Sequence, residues 1–97
     1  MAKGYWIASV DVTDPEGYKE YVVANAAAFN KYGAKFLVRG GRFEVPEGST
    51  RSRNIVLEFK DYDTAVACYR SPEYAAAKAK RMGRAEANLI IIEGYDS

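Results

Sequence analysis

The chain contains no histidine, a single cysteine and three prolines among its 97 residues. Without histidine it lacks the commonest general base and the commonest metal ligand. A zinc site would have to be assembled from Cys68 and carboxylates, which is a poor ligand set. The expectation is a protein without metal or cofactor. One cysteine cannot form an intramolecular disulfide, and no signal peptide is evident, so a reducing, cytoplasmic setting is expected. Charge of one sign is also lacking, with 14 Lys and Arg against 13 Asp and Glu for a formal +1. Neither nucleic acid nor a membrane surface is therefore an expected partner. No apolar run approaches the ~20 residues of a membrane span, and no repeat or low-complexity segment is present. What the chain does have is hydrophobic residues, 48% of the total. A chain of this length buries roughly 65% of its unfolded surface, so one core and one domain over residues 1–97 are expected.

Residues 3–12, KGYWIASVDV, alternate with both phases largely apolar, which reads as a strand buried on both faces. The period then changes. Thr13 or Asp14 can cap a helix, Pro15 suits its first turn, Glu16 favours its dipole and Gly33 can end it. Tyr18, Tyr21, Val22, Ala26 and Phe29 fall at helical spacing within it. AKFLVR (34–39) and NIVLEF (54–59) read as two strands of a hairpin with a long basic tip between them. Asp61 or Asp63 can start a helix that runs to about Tyr69. Ser71-Pro72-Glu73 restarts helix, and NLIIIEGY (88–95) is a last strand, again apolar on both faces.

The order β-α-β-β-α-β is that of the ferredoxin-like unit: an α+β fold with a four-stranded antiparallel sheet and two helices on one face. Two helices cover only one sheet face. Strands 1, 3 and 4 are nonetheless apolar in both phases, so the second face is expected to be covered by another copy of the chain in a two-fold homodimer.

The segments GYWIASVDVTDPEGYKEY, AKFLVRGG, VLEF, YRSPEYAAAK and AEANLIIIEG, in this order, resemble the bacterial domain-of-unknown-function family 1330. The resemblance implies a dimeric α+β barrel, as in small antibiotic-biosynthesis monooxygenases and muconolactone isomerases. It implies no activity, because fold does not fix function, and the absence of histidine weighs against a reaction that needs one.

Candidate site residues are polar groups in places that ought to be apolar. Asn25 shares the stripe of Tyr18, Tyr21, Val22 and Phe29. Its amide either satisfies a buried backbone group or points into a pocket between the first helix and the sheet. Arg39-Gly40-Gly41-Arg42 is first a turn, since both glycines permit positive φ. Its arginines, with Arg39 ending its strand in phase with Leu37, can also bind a carboxylate or phosphate. Tyr21 and Trp6 would supply the apolar wall of such a pocket. Arg51 and Arg53 read as a solvated hairpin arm. Asp11 and Glu58, on strands taken as parallel neighbours, would lie at one sheet end as an acid–base pair, or each would simply meet solvent or a cation, and Glu93 reads the same way. Tyr18, Tyr21, Tyr69 and Tyr74 read as core tyrosines with wet hydroxyls. Cys68 reads as a small apolar filler, and Ser71-Pro72-Glu73 as a helix start. Two functions stay open: a protein binding a small polar or anionic metabolite, with cofactor-free catalysis not excluded, or a non-catalytic dimeric interaction module without a small-molecule site.

Overall fold

A computed structural model describes residues 2–95. The elements are β1 (Gly4–Val12), α1 (Pro15–Tyr32), β2 (Lys35–Arg39), β3 (Arg53–Phe59), α2 (Tyr62–Tyr69), α3 (Pro72–Arg81) and β4 (Ala85–Glu93). Local chemistry sets the helix ends. The Asp14 carboxylate accepts from Gly17 N, that of Asp61 from Thr64 N, and the Ser71 hydroxyl from Tyr74 N, and each satisfies a donor the first turn leaves free. Gly33 closes α1 in the left-handed conformation at φ 68°, its N–H bonded to the Phe29 carbonyl. The second helical segment is two helices, because Ser71-Pro72 ends one and starts the next. The last strand starts at Ala85, three residues earlier than the sequence pattern suggested.

The sheet order is β2-β3-β1-β4, with every neighbouring pair antiparallel. The expectation of parallel β1 and β3 is thereby corrected. A helix returns the chain so that β2 runs with β1, and the hairpin then reverses β3. Tyr5 lies opposite Glu58, whereas Asp11 lies opposite Glu86 on β4, so Asp11 and Glu58 sit at opposite ends of the sheet.

Trp6 shows which face the helices cover. Its ring meets Phe29 of α1, Tyr69 of α2 and Tyr74 of α3 at centroid separations of 5.4, 5.7 and 4.9 Å. Its indole N–H donates to the Ala65 carbonyl at 2.9 Å, so the polar edge of a buried ring is satisfied. Val10, Leu57 and Phe59 share this face and are buried. On α1 the buried stripe is Tyr18, Tyr21, Asn25, Ala28 and Phe29, and Ala26 is exposed. The other sheet face carries Ile7, Val38, Ile90 and Ile92, each more than 40% exposed. Cross-strand pairing makes them continuous: Ile7 lies opposite both Val56 and Ile90, Val38 opposite Val56, and Tyr5 opposite Ile92.

Candidate functional site

A narrow cavity of about 40 Å³ opens between α1, the end of α3 and the covered face of the sheet. Its floor includes Trp6, Leu57 and Tyr74, its wall Tyr18, Tyr21 and Asn25, and its rim Arg39, Arg53 and Arg81. Four residues singled out from sequence, Trp6, Tyr21, Asn25 and Arg39, thus line one space. Gly40, Gly41 and Arg42 lie outside that lining.

Arg39 reaches the cavity through an irregularity. The pairing of β2 with β3 slips between Phe36 and Val38, leaving Leu37 as an extra residue. Such a bulge changes the phase of the strand beyond it. Phe36 and Arg39, three residues apart, therefore share the helix-covered face, and the Arg39 guanidinium lies 4.2 Å from the centre of the Phe36 ring. Arg39 is consequently not in phase with Leu37, as uniform alternation implied.

Gly40 contributes to the turn and to the seating of a neighbour. Its φ is +71°, and a Cβ there would stand 3.1 Å from a terminal nitrogen of Arg53. Gly41 needs neither freedom: its φ is not positive, and nothing lies within 4 Å of where its Cβ would be.

Arg53 and Arg81 are the residues that sequence reading missed. Arg53 begins β3 in phase with Ile55 and Leu57, so it points to the covered face rather than into a solvated arm. Arg81 lies seven residues after Tyr74 and four after Ala77, both buried on α3. Those spacings were the available signal. The Nε atoms of Arg53 and Arg81 are shielded from solvent and have no acceptor among the described residues. The Arg81 guanidinium sits 5.3 Å from the centre of the Tyr21 ring.

The Asn25 side chain is 7% exposed and makes no hydrogen bond among the described residues. The Tyr21 and Tyr74 hydroxyls are 2.7 Å apart in a buried hydrogen bond, which corrects the expectation that both stay wet: each takes the other as its partner in place of water. Burial, with Tyr21 adding to it, pushes the Tyr74 phenol well above the ordinary tyrosine range. Burial also raises Tyr18, and the charges of Arg53 and Arg81 act on it in the opposite sense. Both guanidiniums are therefore within electrostatic reach of the same hydroxyl. Among the described residues, no carboxylate, thiol or imidazole lines the cavity. The arrangement can hold an anion and donate hydrogen bonds to it, and its proton-bearing groups are phenols.

The remaining candidates sit elsewhere. Arg51 donates to Asp11 at 3.0 Å and to Glu86 at 3.2 Å on the opposite sheet face, and Ser52 N donates to Asp11 at 2.9 Å. That backbone bond, with Arg51 adding to it, holds the Asp11 carboxyl below its ordinary pKa. Glu58 stands 3.9 Å from Lys3, and Glu93 is exposed. Cys68 is fully buried with its thiol pushed up to about 12 by burial, as suits an apolar filler. Among the described residues, no helix is long and apolar enough to cross a membrane.

Residues 3–95 match the family described as Domain of unknown function (DUF1330). The chain belongs to this family. Among solved structures it is similar to a protein of unknown function from Rhodopseudomonas palustris, with a TM-score of 0.77 and 16% identity over 99% of this chain and 85% of that one. It is also similar to SnoaB, a cofactor-independent oxygenase from Streptomyces nogalater, with a TM-score of 0.65 and 11% identity over 100% and 97% of the two chains. A third is a dimeric ferredoxin-like protein of unknown function from Bacteroides fragilis, with a TM-score of 0.61 and 16% identity over 94% and 95%. A search of curated proteins gives no match to this family member. At these identities the likenesses establish the ferredoxin-like fold of the DUF1330 chain and no reaction.

Proposed function

We propose that this DUF1330 protein is a homodimer whose protomers each bind a small polar or anionic metabolite in the cavity between α1 and the sheet. Asn25 carries the reading. Its side chain makes no hydrogen bond among the described residues, and its amide is not among the side-chain atoms sealed from solvent, so it faces the cavity that Arg39, Arg53 and Arg81 rim. An interaction module without a small-molecule site would instead have a filled core and an Asn25 bonded to backbone. A cofactor-free reaction on the bound metabolite is compatible with this reading and not required by it. The lone buried thiol suits a cytoplasmic setting.

The test is Asn25→Leu, followed by thermal unfolding in phosphate, citrate and chloride at matched ionic strength, so that general screening is constant. Wild type should be stabilised by phosphate or citrate over chloride through mass action. The variant should be as stable as wild type or more so in chloride, and should lose the anion-specific gain. A stability loss of about 1–3 kcal/mol with an unchanged anion response would assign Asn25 to the backbone instead.

The exposed apolar sheet face supports the homodimer, since Ile7, Val38, Ile90 and Ile92 form one patch. The dimeric Bacteroides fragilis neighbour has the same fold. The interface should exceed the ~1,600 Å² of a standard complex. Sedimentation equilibrium at low micromolar concentration should give a dimer, and Ile7→Asp should give a monomer. A folded wild-type monomer would refute the assembly.

A further inference from the structure

We infer that the ligand of this cavity is a small dianion, two negative charges carried on a short apolar body. The inference rests on the anion-site reading above and narrows it. Three guanidiniums line the rim, and among the described residues no carboxylate lines the cavity. Arg39, Arg53 and Arg81 form no ion pair among the described residues, a state they share with several exposed lysines, but these three line one cavity.

The three are not merely solvated. Arg53 and Arg81 are half-buried, and the Nε of each is cut off from water without an acceptor. Arg39 is exposed but stacked on Phe36, which holds its planar fork in place. Three like charges gathered around one opening repel one another in the unliganded protein. A single carboxylate accepts a bidentate pair of bonds and leaves most of that repulsion standing. Two negative charges remove most of it and give each buried guanidinium an acceptor.

The rest of the lining describes the body between the charges. Trp6, Leu57, Phe29 and Tyr74 offer aromatic and aliphatic surface, while Asn25 offers one donor and one acceptor to a polar substituent. About 40 Å³ is room for a few water molecules, so only a short body passes beneath the rim while the charged ends stay among the guanidiniums. A dicarboxylate and a phosphate monoester share this chemistry, and the probes must separate them.

The experiment is calorimetric titration of the intact protein at pH 7.5 with fumarate, monomethyl fumarate and methyl phosphate, at constant ionic strength. Fumarate or methyl phosphate should bind at least about tenfold more tightly than monomethyl fumarate. The tighter of the two identifies carboxylate or phosphate as the recognised group. Phosphate recognition should also weaken as pH falls through about 6, where the second phosphate ionisation is lost, and dicarboxylate recognition should not. Arg53→Gln and Arg81→Gln, each checked for native circular dichroism, should reduce the preference for dianions to about twofold or less. If monomethyl fumarate binds as well as fumarate and methyl phosphate, the dianion inference fails and the anion site stands. If no probe binds and the glutamine variants behave as wild type, the anion site fails with it.

Discussion

Arg51 and Arg53 are two residues apart and end on opposite faces of the sheet. The bend at Ser52 separates them. Arg51 lies between Asp11 and Glu86, which neutralise its charge through a terminal nitrogen although its Nε, like that of Arg53, has no acceptor among the described residues, and it ties the end of the long hairpin arm to β1 and β4. Arg53 faces the helices, meets no carboxylate among the described residues and shares a cavity with two other arginines. The same side chain is a structural clamp on one face and an unmatched charge on the other. An unmatched, partly buried charge costs stability, so its presence asks for a ligand, and a matched one asks for nothing further.

The contrast between the two faces can be tested at β1 first. Trp6→Ala should be the most damaging change, costing about 3–5 kcal/mol in urea unfolding. It removes a ring packed against three helices and the bond to the Ala65 carbonyl. A loss below about 1 kcal/mol would mean that the covered face is not the core. Next come the two glycines of the turn. Gly40→Ala should cost about 1–2 kcal/mol, because the residue sits at φ +71° and its added methyl would crowd Arg53. Gly41→Ala should stay within about 0.5 kcal/mol or stabilise. Equal losses at the two positions would contradict the assigned turn.

The smallest effects concern the arginines themselves. Arg51→Gln should destabilise slightly, whereas Arg53→Gln should leave stability unchanged or raise it, both read by thermal unfolding in chloride. The Arg51 effect should depend on pH. Asp11 has a folded pKa below its unfolded one, so its contribution is fully present above the unfolded value. It is lost as pH falls from about 4 through the lower folded value. Wild type and Arg51→Gln should therefore converge in stability once pH falls below the lowered folded value of Asp11, and a gap that persists under fully acidic conditions would separate Arg51 from Asp11.

Sequence pattern was enough for the elements and their order. Asp14 and Ser71 cap where capping residues stand before helical spacing, Gly33 ends α1, and apolar residues in both phases of β1 and β4 announced a second face to be covered. Asn25 was legible as a polar group in an apolar stripe because helical spacing fixes a residue's face without further information. Tertiary structure alone decided which arginines meet. Arg39 faces the cavity because one extra residue at Leu37 shifts the phase of β2, and strand alternation carries no mark of such a slip. Arg42 stays outside the cavity while Arg53 and Arg81, from another strand and another helix, line it. Those contacts depend on how β3 pairs between β2 and β1 and on where α3 ends over α1. Local propensity sets neither, because both follow from burying one continuous apolar surface.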